Sequence, residues 1–228
     1  MILKRGVVMV RLIEHKKIIA GCIILILIVF TIVIIMLPKR TTEIKNNTVY
    51  MSGYYTEYPD KDDPRYYVEF KNDGTYVLMY DDSRRYEENY NEEGDGSYPL
   101  IRIYFGKYEV QNNRYYIKPI EGASVGFKDV SSVKKNTING YGYRNYINDK
   151  SVVGMILVKS KRGHYILGNL NPDRTSYNED RNYYTLYNKS DIEKLPSSPK
   201  EFRNQFKMDK KAEQERLAKQ ERLAEQSQ

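Results

Sequence analysis

YYVEFKNDGTYVLMY, residues 66–80, decides the fold. Tyr66, Val68 and Phe70 alternate with Tyr67, Glu69 and Lys71, and Tyr76, Leu78 and Tyr80 repeat the pattern on the way back. That is the side-chain period of a β-strand, not of a helix. Between the two runs, Asn72-Asp73-Gly74 supplies a tight turn in which glycine takes a positive φ. The stretch predicts an antiparallel hairpin.

The same grammar extends on both sides. Upstream, Thr48–Tyr58 places Val49, Met51, Gly53 and Tyr55 on one parity and reads as a first strand, with Asp60–Pro64 as a turn. Downstream, Asp81–Pro99 is a long polar, acid-rich loop, after which Ile101, Ile103 and Phe105 alternate again. GKYEVQNNRYYIKPI, residues 106–120, is a second hairpin turning at Asn112-Asn113. Residues Glu121–Tyr146 offer a short strand near Ser124–Phe127 and glycine-rich turns at Asn139–Gly142. Val152–Val158, a Ser160–Gly163 turn and Tyr165–Leu170 form a third hairpin, and Tyr183–Asn188 gives a last strand. Eight to ten short strands with no helix of ordinary length between them predict an antiparallel all-β domain over 48–190. A meander of this kind closes most simply into a barrel, which removes exposed edges.

Gly53, the run Phe70, Asp73, Gly74, Thr75 and Tyr76, and then Gly106, Tyr108 and Val110, together resemble the hairpin motifs of small bacterial lipocalin-like domains found in secreted or membrane-anchored proteins. Tyr55 stands where that family usually has tryptophan, and the resemblance covers 48–120. It implies a lipocalin-like barrel and carries no ligand with it.

The flanks are of a different kind. Ile18–Leu37, IIAGCIILILIVFTIVIIML, holds no charge and is closed by Pro38-Lys39-Arg40. Some twenty apolar residues match the thickness of a bilayer core, so this stretch is expected to be a single transmembrane helix. Lys4, Arg5, Arg11, Lys16 and Lys17 precede it, against Lys39, Arg40 and Lys45 after it. The positive-inside rule then places residues 1–17 in the cytoplasm and 38–228 outside; a start at Met9 would remove Lys4 and Arg5. Ile19-Ala20-Gly21-Cys22 resembles a lipoprotein cleavage box, but the apolar run follows the cysteine instead of preceding it, so Cys22 reads as a small residue of the membrane helix. Residues 38–47 read as a linker.

The tail, 191–228, is charged and helix-forming. A turn of helix is expected at Ser190–Glu193, and Ser198-Pro199-Lys200-Glu201 has the cap, proline and acid of a capping box. One helix is expected from there to about Ala224, with Phe202 and Phe206 packed on the barrel. Leu217 and Leu223, six apart, make a poor coiled-coil seam, so a monomer is favoured.

Charge and residue content narrow the chemistry. The formal +7 is concentrated at the ends: residues 1–37 carry +4, residues 200–228 carry +2, and the middle only +1. A nearly neutral folded domain argues against nucleic acid as partner. Cys22 is the only cysteine and His15 and His164 the only histidines, so neither a disulfide, a thiolate metal cluster nor a Cys–His or Ser–His pair with an orienting third group is expected. His164 reads as a solvated strand-end residue. Asp60, Asp62 and Asp63, like Asp81 and Asp82, lack the spacing of a calcium loop and read as charged turns. No cofactor, metal or catalytic residue is expected.

The 23 tyrosines, with no tryptophan, are the one feature with functional reach. Tyr54, Tyr67, Tyr104 and Tyr116, if outward, would form a contact patch for an envelope protein or glycan, because tyrosine gives rigid amphipathic area at small entropic cost. A tyrosine-rich core is the competing expectation, and an interior cavity for a small apolar ligand a further one. The sequence is therefore expected to encode a membrane-anchored, extracytoplasmic binding or scaffolding module of a bacterial envelope. A structural envelope protein without a ligand, and an enzyme with an unrecognised site, are its rivals.

Overall fold

The computed structural model describes residues 21–32, 37–53, 57–90, 97–149, 154–169 and 183–226. The chain divides into two compact units, Met1–Pro38 and Lys39–Gln228. In the first, residues 21–32 are α-helical (α1), and Ile24, Leu25, Ile26 and Phe30 are exposed on it. Residues 18–20 and 33–36 of the expected span lie outside the described residues. Among the described residues no helix is long and apolar enough to cross a membrane.

The second unit is an eight-stranded antiparallel barrel with β1 (Val49–Ser52), β2 (Arg65–Phe70), β3 (Thr75–Asp81), β4 (Leu100–Gln111), β5 (Arg114–Gly126), β8 (Met155–Lys159), β9 (Tyr165–Asn169) and β10 (Tyr183–Tyr187) in its wall. Each pairs with the next in that order, and β10 returns to β1 through Met51↔Tyr187 and Ser52↔Leu186. Between β5 and β8 the chain makes a short helix α2 (Val130–Lys134), β6 (Thr137–Ile138) and β7 (Gly140–Asn145). β8 pairs with the first part of β5, Tyr115–Ile117, and β7 with its last part, Glu121–Gly126. After the barrel come α3 (Pro199–Arg203), β11 (Lys207–Met208) and α4 (Lys210–Gln226).

The turns follow residue chemistry. Gly74 has φ +80° and Asp73 Oδ1 accepts hydrogen bonds from the Thr75 N–H and hydroxyl at 3.0 and 2.6 Å. Asn112 and Asn113 both take positive φ, 52° and 60°, as a two-residue hairpin turn matched to strand twist requires. At Phe105/Gly106 the β4–β5 register shifts, and a Cβ on Gly106 would lie 2.1 Å from the Lys118 carbonyl oxygen. Only glycine fits that bulge.

Both faces of the first strands are buried, for different reasons. Tyr50, Val68, Phe70, Tyr76, Leu78, Ile117, Leu157, Leu167 and Leu186 form the barrel interior. The opposite parity, Met51, Tyr67, Val77, Met79, Ile103 and Phe105, faces outward and is covered by Leu195, Phe202, Phe127 and Ile138. Residues 190–208 thus form a strap across the outer face of β1–β5. Asp191 latches it: Oδ1 accepts from the Tyr67 hydroxyl at 2.8 Å, and Oδ2 lies 2.8 Å from Arg84 Nη1 and 3.5 Å from Arg65 Nη1. The buried Glu69 Oε2 accepts from the Leu195 N–H at 3.3 Å.

Several expectations are corrected. Residues 39–47 are not a free spacer: the Thr41 N–H bonds Leu186 O and its carbonyl accepts from the Tyr165 N–H, both at 2.7 Å, while Ile44 packs on the interior cluster. The first strand ends at Ser52 instead of Tyr58. The glycines of 139–142 lie in strand β7 and not in turns, because β5 runs on to Gly126 and pairs them. Ser190–Glu193 is irregular, with Ser190 Oγ accepting from the Ile192 N–H. The single tail helix is broken at Asn204–Asp209, where Lys207–Met208 pairs in parallel with Thr137–Ile138 and Asp209 recaps α4 through the Lys211 and Ala212 N–H groups. Ser198 does cap α3, accepting from Glu201 N, but Glu201 turns its carboxylate to Ser197. Ala212 is buried at the start of α4, whereas Leu217 is exposed.

Candidate functional site

The two ends of the barrel interior differ. At one end, aromatic rings fill the space: Phe70 lies 5.0 Å from Tyr108 and 5.1 Å from Tyr115, and Tyr115 lies 5.9 Å from Tyr165, centroid to centroid. Their edge-to-face and tilted contacts are those that aromatic pairs prefer, so this end is a plug. At the other end, where β2 and β8 begin and β3 ends, a cavity of about 550 Å³ remains. That volume lies within the roughly 300–1,000 Å³ typical of sites for small organic ligands.

The strand registers build this cavity. Tyr66 pairs Tyr80 and Tyr80 pairs Arg102, so three interior side chains stand in one row across β2, β3 and β4. One level deeper, Leu78 pairs Tyr104. The floor is Tyr76, Leu78 and Ile117, all buried; Pro119, Tyr146 and Met155 complete the rim and are only partly buried. Gly122, opposite Tyr104, has no side chain to obstruct the rim: a Cβ there would lie 3.1 Å from both the Tyr104 and Tyr146 rings. Among the described residues the cavity therefore has a base of two aliphatic side chains and the Tyr76 ring, and a mouth of phenols with one guanidinium.

Burial raises the Tyr66, Tyr76, Tyr80 and Tyr104 hydroxyls above the ordinary phenol range, with Tyr184 reinforcing the shift at Tyr66 and Asp82 at Tyr80. These phenols stay protonated at neutral pH and act as hydrogen-bond donors. Tyr80 borders the Asp82–Arg85 ion pair, and Arg144 stacks 5.2 Å from the Tyr146 ring centroid while pairing with Asp149. Arg102 is exposed and makes no ion pair with a described residue.

The four tyrosines expected as an outward patch are not brought together. Tyr67 is fully buried under the strap with its hydroxyl on Asp191, which removes it from any contact surface. Tyr104 points inward at the cavity, Tyr116 lies half-buried opposite Ile156, and Tyr54 lies outside the described residues. His164 is not solvated: it is buried, with Nδ1 3.3 Å from Ser160 Oγ, and burial, then Arg40 and Arg162, lower its pKa. Asp63 Oδ2 accepts from the Asp60 N–H, and Asp81 binds Ser83 and Arg84, so both acidic groups are used within turns. Among the described residues no group of three or more His, Cys, Asp or Glu is placed to hold a metal ion.

Sequence reading missed Arg102, Tyr66, Tyr80 and Tyr146. The signal for two of them was present, since Tyr66 shares a parity with Val68 and Phe70, and Tyr80 with Leu78. In β4, however, the more apolar face, Ile101, Ile103 and Phe105, is turned to the strap, while Arg102 and Tyr104 face the interior. Apolarity there selects the wrong side as the inside.

Compared with known proteins, the chain matches no family model, no curated protein and no solved structure.

Proposed function

We propose that this chain is a membrane-anchored binding module of a bacterial envelope, which holds a small organic molecule in the tyrosine-rimmed end of a lipocalin-like barrel. The observation that carries the reading is the contrast between the two ends of one interior: rings close one, and an open cavity of about 550 Å³ occupies the other. A barrel this small can fill its interior with side chains or hold one small ligand. An enzyme reading has less support, because the described lining residues hold no nucleophile–base pair and no carboxylate. The anchor rests on the uncharged run Ile18–Leu37, and the outward orientation on the five basic residues before it.

Two experiments test this. Calorimetric titration of the full chain with the neutral probe 6-phenylhexan-1-ol is expected to give one saturable site, lost when Met155→Trp fills the rim; absence of saturable binding refutes the cavity reading. For location, Cys22→Ala with Lys161→Cys puts one thiol on an exposed turn. A membrane-impermeant maleimide is expected to label it on intact cells, and protection until lysis overturns the orientation.

A further inference from the structure

The polar groups of the cavity are weighted to donors. Neutral phenols can donate as well as accept, a guanidinium can only donate, and no described lining residue is a carboxylate. Two described acids next to the rim are already spent: Asp82 pairs with Arg85, and Asp149 with Arg144. Two of the three described arginines at this end are thereby neutralised by their own partners. Arg102 is left as the uncompensated charge, on the same cross-strand row as the Tyr66 and Tyr80 rings. Below it lie Leu78 and Ile117, which offer hydrocarbon, and the buried ring of Tyr76, whose phenol is the one hydrogen-bonding group of the described floor. The row also carries Ser52, paired with Tyr66, whose hydroxyl is fully buried and has no partner among the described residues.

We propose that the ligand is an amphipathic anion, an apolar or aromatic body ending in a carboxylate, with the body in the cavity and the carboxylate held by Arg102 at the rim. The inference rests on the binding reading above and adds the sign of the ligand's charge. The guanidinium fork matches a carboxylate in two parallel hydrogen bonds, which an ammonium would not. A cation would meet Arg102 with no described carboxylate free to offset it. A neutral ligand would fill the floor and leave the charge of the guanidinium unmatched.

The test is a matched pair of probes on the full chain at pH 7.4: 6-phenylhexanoate and 6-phenylhexan-1-ol, which differ only in the head group. The carboxylate is expected to bind about 10- to 100-fold more tightly, the range for a charge-assisted hydrogen bond. Arg102→Gln should remove the carboxylate's advantage, lowering carboxylate affinity about 10- to 100-fold and alcohol affinity far less. Retained alcohol binding also shows that the variant is folded, and Arg102→Lys should recover only part of the preference. Equal binding of the two probes, or a carboxylate preference that survives Arg102→Gln, overturns the anion inference and leaves the cavity reading standing. If neither probe binds the unaltered chain, both fall together.

Discussion

Replacing Asp191 with alanine tests whether the strap is latched to the barrel or merely rests on it. Three contacts are lost, to Tyr67, Arg84 and Arg65. They are unequal. Arg65, only 5% exposed at its side chain, keeps the carbonyl oxygens of Asp60, Lys61 and Asp63, and Arg84 keeps Asp81 at 2.7 Å. Tyr67 has no other hydrogen-bond partner among the described residues, so its buried hydroxyl is orphaned, at about 1–3 kcal/mol. The Arg84–Asp191 pair is screened, since the two side chains are 29% and 38% exposed, and adds at most about 1 kcal/mol. Tyr67→Phe, by contrast, removes the donor and leaves a carboxylate that water and Arg84 still satisfy, at about 1 kcal/mol. In the double variant nothing is orphaned. The two effects should therefore fall short of additivity by about 1–2 kcal/mol. Equilibrium urea unfolding of the full chain and the three variants, followed by far-ultraviolet circular dichroism, measures this directly. A coupling below about 0.5 kcal/mol, the scatter expected of independent sites, would refute the latch.

Phe202→Ala, at a ring 1% exposed between the strap and the outer sheet face, should cost about 3–5 kcal/mol by the same assay; a loss under about 1 kcal/mol would mean that the outer face is not a second core. Gly74→Ala meets no atom within 4 Å and pays only for its positive φ, about 1–2 kcal/mol. Gly106→Ala drives a Cβ onto the Lys118 carbonyl, so it should be the more damaging of the two, and the reverse order would place the bulge wrongly. His164 is held below its usual pKa by burial, with Arg40 and Arg162 adding to the effect. The unfolded chain then takes up this proton first, so stability falls as pH drops below about 6.5 and levels off below the folded value. His164→Asn should lose less stability than the unaltered chain between pH 7.5 and 5.0; equal losses would dismiss the effect.

The hairpins were legible because their information is local. Period-two runs and the turn residues Gly74, Asn112-Asn113 and Gly163 lie within a few positions of one another, and the positive φ values of 80°, 52°, 60° and 81° follow from residue type. The inside and outside of the barrel were not legible, because a strap from the far end of the chain makes the outer face as dry as the interior. Tyr66 and Tyr67 are neighbours of one kind, and only pairing across 124 residues, Tyr67 to Asp191, assigns them to opposite sides. The break in the tail has the same origin. Nothing in Asn204–Asp209 forbids a helix, but Lys207 and Met208 find strand partners at Thr137 and Ile138. The cavity followed from neither signal: Tyr66, Arg102, Tyr104 and Tyr146 meet only once the strands are in register.

The seam between β1 and β10 sets a clock on biogenesis. The first strand of the wall waits for the last, since Met51 pairs with Tyr187, and at about 5–20 residues per second the ribosome needs on the order of ten seconds to supply the partner. During that interval the growing meander carries an open edge at β1 and two uncovered apolar surfaces, because the strap residues Leu195 and Phe202 are made later still. Each hairpin can form as it emerges, yet ring closure and strap docking are non-local steps that come at the end, where loop entropy makes folding slow and association between unfinished chains competitive.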